Sequence, residues 1–255
     1  MNIAVLAAMP QEYRAVCRSL GAAEAGRCGE YLSGRFRVAE HEIMVVKSGI
    51  GFDNAARATE TVCAGFQPDL LISAGFCGGV TESLRVGDVV VARQFLIAGR
   101  NDVIESVPVS VSLAGSRFAG AQSEDGRQVF EGTFVSTPTV TSKKHIAGLL
   151  PSDAHPAVVE MESAAIAIVA AENGIPLCAV RTVSDPADEE LAFSMDEFCD
   201  TAMNIRPGKV LLTLLHRPVI IPQLIRLAGN SRTAAASLAT AIELLLPLVW
   251  DAPGC

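Results

Sequence analysis

No cluster of lysine and arginine marks this chain, and its 20 Lys and Arg against 28 Asp and Glu leave a formal charge of −8. A phosphate backbone would find no electrostatic footprint, so nucleic acid is excluded as an expected partner. No C-x-x-C pair occurs among the seven cysteines. Their odd number fits neither a secreted disulfide framework nor a zinc ribbon, and a reducing cytoplasm suits them best. The histidines at 41, 145, 155 and 216 lack ligand spacing, so no metal is expected. The opening Met1 to Pro10 has no basic n-region and is interrupted by Pro10 and Glu12; it reads as a first strand and not as a signal peptide. Val210 to Leu215 and Val219 to Ile221 are apolar, but His216-Arg217-Pro218 splits them below the ~20 residues that cross a bilayer, and no transmembrane segment is expected. There is no internal repeat, low-complexity tract or clear linker.

What is present is a packed globular composition: half of the residues are hydrophobic and 19% are charged, which excludes disorder, and 21 Gly and 13 Pro are too few for a fibrous chain. At 255 residues the chain fits one domain, able to bury ~70–75% of its unfolded surface without a staple. Ile3 to Ala8, Ile43 to Val46 and Leu70 to Ala74 are short apolar runs without alternation, the pattern of strands covered on both faces. Ala55, Ala58, Thr59 and Val62 fall at helical spacing between the second and third runs, giving a βαβ unit. Val86 to Val91, Ala157 to Val159 and Leu177 to Thr182 add strands around a helix from Ser163 to Asn173, with Gly174 placed to end it. Gly99 to Val129 reads as loops and short edge strands. Pro222 to Leu246 reads as one helix, with Leu224, Ala228, Ser231, Ala235, Leu238, Ile242 and Leu245 on a seam that covers the sheet first of all, with a subunit contact or a wall for an apolar ligand as the alternatives. The fold expected is a single α/β domain, residues 1–255, with a mixed central sheet flanked by helices and a helical extension over 206–250.

Polar residues gather where the apolar strands end, which is where open α/β sheets bind ligands. Glu12 follows the first strand; a helix-start charge is the simpler explanation for it alone. Ser48-Gly49-Ile50-Gly51 and Gly75-Phe76-Cys77-Gly78-Gly79 read as glycine turns that let backbone amides approach a ligand. Neither matches G-x-x-x-x-G-K-S/T or G-x-G-x-x-G, so no nucleotide-phosphate loop is implied. Glu160-Met161-Glu162 and Ser184-Asp185 put carboxylates at neighbouring strand ends, and capping accounts for Ser184 or Asp185 but not for Glu162.

With these segments in order, the chain resembles the purine and uridine phosphorylase superfamily, and within it the 5′-methylthioadenosine/S-adenosylhomocysteine nucleosidases. Ala8-Met9 with Glu12, Lys47 to Gly51, Gly78-Gly79, Val86-Gly87-Asp88, Glu160-Met161-Glu162 and Ser184-Asp185 carry the resemblance over residues 1 to about 200. Arg217-Pro218 and Leu224 to Ala228 look more like the hopanoid-associated phosphorylases, which release adenine from adenosylhopane.

The resemblance implies a cofactor-independent nucleosidase that frees adenine from a 5′-substituted adenosine in nucleoside catabolism and methionine salvage. It also implies a homo-oligomer, a homodimer first. Asp185 would protonate adenine N7, Ser184 orient Asp185, Glu12 activate water, Glu162 bind the ribose hydroxyls and Met161 pack on the sugar. Glu160, Gly78, Ile50, Phe76 and Val140 would complete the substrate site. Ser73 stands where phosphorylases of the superfamily carry an arginine, which favours water over phosphate, while Arg14 keeps an anion contact open. Phe76 replaces the nucleosidases' usual small hydroxyl residue, and Val140-Thr141 replace a Phe-Ile pair. Phosphorolysis or adenosylhopane cleavage is the alternative within the enzymes; a non-catalytic nucleoside-binding protein is the alternative outside them.

Overall fold

A computed structural model describes residues 1–99, 104–110, 117–119, 128–139, 141–189 and 221–250, Ile221 by its backbone alone. Alternation within the apolar runs decides the layering. In β1 (Asn2–Ala7), Ile3 and Val5 face one core and Ala4 and Leu6 the other, as the two-residue period of a strand requires. β4 (His41–Lys47) and β5 (Leu70–Gly79) lie parallel on either side of β1. α2 (Phe52–Phe66) joins them, completing the expected βαβ unit. α1 (Pro10–Leu20) starts with Pro10, whose missing N–H costs nothing there. It shares the first core with α5 (Ile221–Trp250), while α2 and α4 (Ser163–Glu172) cover the second.

The remaining strands are β2 (Glu24–Cys28), β3 (Tyr31–Val38), β6 (Val89–Ala98), β7 (Ile104–Val107), β8 (Val129–Ser136), β9 (Ala157–Glu160) and β10 (Leu177–Asp185). The sheet is mixed, as expected, and part of it closes on itself. β5 pairs with β10, β10 with β6, β6 with β8, β8 with β9, and β9 again with β5. β4, β3 and β2 extend the sheet beyond β1. Register brings Arg181 beside Gly75, Asp185 and Val159 beside Gly78, and Ser136 beside Glu160.

Four sequence expectations change. Gly75 to Gly79 is not a turn: β5 runs on to Gly79, paired on both sides, with every residue buried. The glycines serve close approach, since a Cβ on Gly75 would lie 2.7 Å from Glu12 Oε1 and one on Gly78 2.9 Å from Asp185 Oδ2. The hairpin β2–β3 was hidden by its mixed polar and small residues, and α3 (Lys143–Leu149), capped by Ser142, by its shortness. Only the C-terminal half of α5 is deeply buried, through Ala234, Leu238, Ala241, Ile242 and Leu245, because the sheet beneath ends there. Finally, an apolar stretch of spanning length does exist: Pro222–Trp250 is long and apolar enough to cross a membrane by length and composition, although 44% of its most apolar window is buried within the protein. Residues 206–220 of the expected extension, Arg217-Pro218 among them, lie outside the described residues.

Candidate active site

Glu12 enters the site from the first turn of α1. Its carboxylate accepts the Met9 N–H at 2.7 Å, as a helix-start glutamate does, and with its other oxygen the Phe76 N–H at 2.7 Å. It is therefore both a cap and a link from α1 to β5. Burial holds its pKa above the ordinary carboxylate value, against the pull of Arg181 and of the backbone N–H donors.

Arg181 is the centre of the site. It lies in β10, is 2% exposed, and its Nη2 sits 2.8 Å from Glu160 Oε2, 2.9 Å from Ser163 Oγ, 3.2 Å from Ser73 Oγ and 3.6 Å from Glu162 Oε2. A buried guanidinium needs such partners, because an unpaired charge in the core costs several kcal/mol. Its Nε has no hydrogen-bond partner among the described residues. Glu160 is committed within the protein. Its Oε2 accepts the N–H groups of Glu162 at 2.9 Å and Ser163 at 2.7 Å, closing the N-terminus of α4, and its Oε1 accepts from Ser136 Oγ. Arg181 and these donors hold Glu160 below the ordinary carboxylate range despite its burial. Glu162 is the freer carboxylate: its Oε1 accepts the Gly51 N–H at 2.8 Å. Burial and the negative charge of Glu160 push it up to about 7, although Arg181 pulls the other way.

The other end of the site is built on Ser184 and Asp185, after a bulge at the end of β10. Ser184 Oγ lies 2.8 Å from Asp185 Oδ1 and 3.2 Å from the Cys77 carbonyl. Lys143 of α3 forms an ion pair with Asp185 Oδ2. The points where β5 meets Glu12 and Asp185, Gly75 and Gly78, are three residues apart, roughly 10 Å along the strand.

The structure thus brings together Glu12, Glu160, Glu162 and Gly78 with Ser184 and Asp185. Met161 stands partly exposed between Glu160 and Glu162, and Ile50 half-buried beside Gly51. Phe76 gives its N–H to Glu12, and its ring, 8% exposed, belongs to the apolar layer that includes Leu238 and Ile242. Glu160 has both oxygens engaged within the protein, as Glu12 does. Val140 lies outside the described residues. Arg14 is exposed and donates back to the Pro10 carbonyl at 2.9 Å. Sequence reasoning missed Arg181 and Lys143. An arginine inside the doubly covered run Leu177 to Val183 was a usable signal, since a buried cation demands carboxylates. Nothing in the spacing distinguishes Lys143 from Lys144.

The fold is nucleoside phosphorylase-like. The Helicobacter pylori 5′-methylthioadenosine/S-adenosylhomocysteine nucleosidase superposes with a TM-score of 0.72 at 20% identity, covering 97% of this chain and 98% of that one. The futalosine hydrolase of the same organism gives 0.72 at 21% identity, with 97% of both chains covered. The chain belongs to the phosphorylase superfamily, whose model matches residues 2–216. The 5′-methylthioadenosine/S-adenosylhomocysteine nucleosidases of Bacillus thuringiensis (strain Al Hakam) and Bacillus anthracis are each 30% identical to it over 215 residues, which is 79% of this chain and 93% of theirs.

Proposed function

We propose that the chain is a purine nucleosidase that hydrolyses the N-ribosidic bond of a 5′-substituted adenosine of the methylthioadenosine or adenosylhomocysteine type. The observation that carries this reading is the gathering of two buried carboxylates, Glu12 and Glu162, about one arginine, Arg181, with Asp185 four residues further along the same strand, β10. Cleavage develops positive charge on the ribose and negative charge on the departing base, so carboxylates suit one end and a proton donor the other. As the C1′–N9 bond breaks, its electron pair leaves with the purine and N7 takes the proton that Asp185, ion-paired with Lys143 in the free protein, must take up when the nucleoside binds, with Ser184 orienting it. Water bonds to C1′ and passes a proton to Glu12. A base with a raised pKa is better matched to neutral pH than an ordinary glutamate. Glu162 receives the ribose hydroxyls, Met161 packs on the sugar, and Gly78, Ile50, Glu160 and Phe76 border the ligand.

Water is favoured over phosphate by charge. Three carboxylates surround Arg181, and Ser73, where phosphorylases of the superfamily carry an arginine, only accepts from it. A phosphate dianion would find that guanidinium already paired with Glu160 and the ionised fraction of Glu12 and Glu162 opposing it. The test is release of free adenine from methylthioadenosine with and without phosphate. Adenine and an unphosphorylated sugar, formed at a phosphate-independent rate, are expected. A strict phosphate requirement would establish phosphorolysis instead, and tight binding without adenine release a nucleoside-binding protein.

A second reading, a large apolar 5′-group, is favoured by the N-terminal half of α5. Ile225 there is 68% exposed, and its neighbour Arg226 pairs with Glu189 at 2.8 Å, beyond Asp185. In a competition assay this reading requires a higher kcat/KM for a long-alkyl or hopane-like adenosine than for methylthioadenosine; equal or lower use refutes it. The proposal also includes one domain over 1–255 with 206–250 as its extension, and a homodimer, measurable by light scattering. A reducing cytoplasm suits the five described cysteines, all free.

A further inference from the structure

Lys143 is a buried cation that the chemistry above does not use. Only 6% exposed on the first turn of α3, it forms the ion pair with Asp185 and donates to the carbonyls of Pro186 at 2.7 Å and Glu189 at 2.8 Å, with the Asp185 carbonyl at 3.4 Å. A lysine stem has the entropy to reach solvent, and it gives this up for four oxygens on three residues, Asp185, Pro186 and Glu189. Those contacts fix two things together: the direction of the Asp185 carboxylate and the path of the segment 185–189. The Cβ clearance at Gly78 is shared between the same two side chains, Lys143 Cε at 3.2 Å and Asp185 Oδ2 at 2.9 Å, so the strand fits the pair as a unit. Removing Lys143 would leave a carboxylate and at least two carbonyls without their donor.

We infer that Lys143 is a positioning residue for base release: it aims Asp185 at the purine and balances the carboxylate that remains once the proton has moved to N7. This rests on the reading of Asp185 as the acid. Around Asp185 the described groups are Lys143 from α3, Ser184 beside it, and Cys77 of β5, whose thiol burial pushes well above its ordinary value. Lys143 is the one cation among them, so its effect on turnover is to be felt through Asp185.

A double-mutant cycle isolates that effect. Wild type, Lys143→Gln, Asp185→Asn and the double variant are compared for adenine release at saturating methylthioadenosine, with KM and circular dichroism for each. Glutamine retains N–H donors for the carbonyls of 186 and 189 while removing the charge. Lys143→Gln is expected to lower kcat at least ~10-fold with KM within ~3-fold, the signature of a group acting in the transition state. In the Asp185→Asn background the same substitution should cost less than ~2-fold, because the partner through which it acts is gone. Lys143→Arg should recover most of the activity. An equal fold-loss in both backgrounds, or a loss confined to KM, overturns the inference; should Lys143→Gln not fold, the Arg variant decides, since failure to recover kcat in a folded protein is equally fatal. Absence of adenine release by the wild type would refute the nucleosidase reading itself.

Discussion

Replacing Glu162 by glutamine relieves the crowding of three carboxylates around one guanidinium, and the consequence can be worked out in advance. Burial and the charge of Glu160 move Glu162 from an ordinary 4.5 up to about 7. The folded state therefore holds this proton more tightly than the unfolded chain. The stability it contributes is fully present below pH 4.5 and is lost as pH rises through about 7. At 1.36 kcal/mol per unit, that interval corresponds to roughly 3 kcal/mol, and sharing of the proton among Glu12, Glu160 and Glu162 reduces it to about 2–3 kcal/mol. Glutamine still offers an oxygen to the Gly51 N–H and carries no charge at any pH. Glu162→Gln should consequently match the wild type in stability near pH 5 and exceed it by about 2–3 kcal/mol near pH 8. In thermal melts that is roughly 5–10 °C for a chain of this size. Urea denaturation at both pH values gives the same difference directly. Stability curves that run parallel across this range would refute the argument, because they would mean that Glu162 is ionised at no cost in the folded protein.

Asp185→Asn should lower kcat for adenine release at least ~100-fold while calorimetry still detects nucleoside binding, and Glu12→Gln should do the same for hydrolysis. Wild-type turnover by either variant removes that residue from the mechanism. Arg181→Met leaves three buried carboxylates without a counter-charge and should destabilise the protein by about 3–5 kcal/mol at neutral pH. The loss should shrink in acid as the carboxyls take up protons, and a pH-independent loss in urea titrations would contradict it. Phe76→Ser opens a cavity in the layer beneath α5 and should cost at least about 3 kcal/mol; an unchanged melting temperature would show that the ring is not packed as described.

The parts of this fold legible in the sequence are those where one physical demand acts alone. The runs at Ile3, Ile43, Leu70 and Leu177 had to be doubly covered strands, and the helices at 53 and 163 followed from spacing, to within a few residues of the observed ends. Where two demands compete, pattern failed. Gly75 to Gly79 has turn composition but strand pairing, because room for Glu12 and Asp185 outweighs side-chain packing. Alternation along β5 puts Phe76 in the same apolar layer as Leu238 and Ile242 of α5. Glu12 and Glu162 were found through motif order, whereas Arg181 and Lys143 depend on contacts 108 and 42 residues away in sequence, to Ser73 and Asp185, that no local window contains.

Closure of β5, β10, β6, β8 and β9 into a ring bears on how such a protein could acquire new specificities. A strand in an open sheet can slide or tilt with one neighbour, but in a ring each displacement must be passed to two partners and returns to its origin. The reacting groups mounted on these strands are in that sense a fixed frame, and adaptation falls to the connections at the rim: 48–51, 137–139 and 186–189. An engineer seeking another leaving group or another 5′-substituent would graft loops there and leave the strands alone.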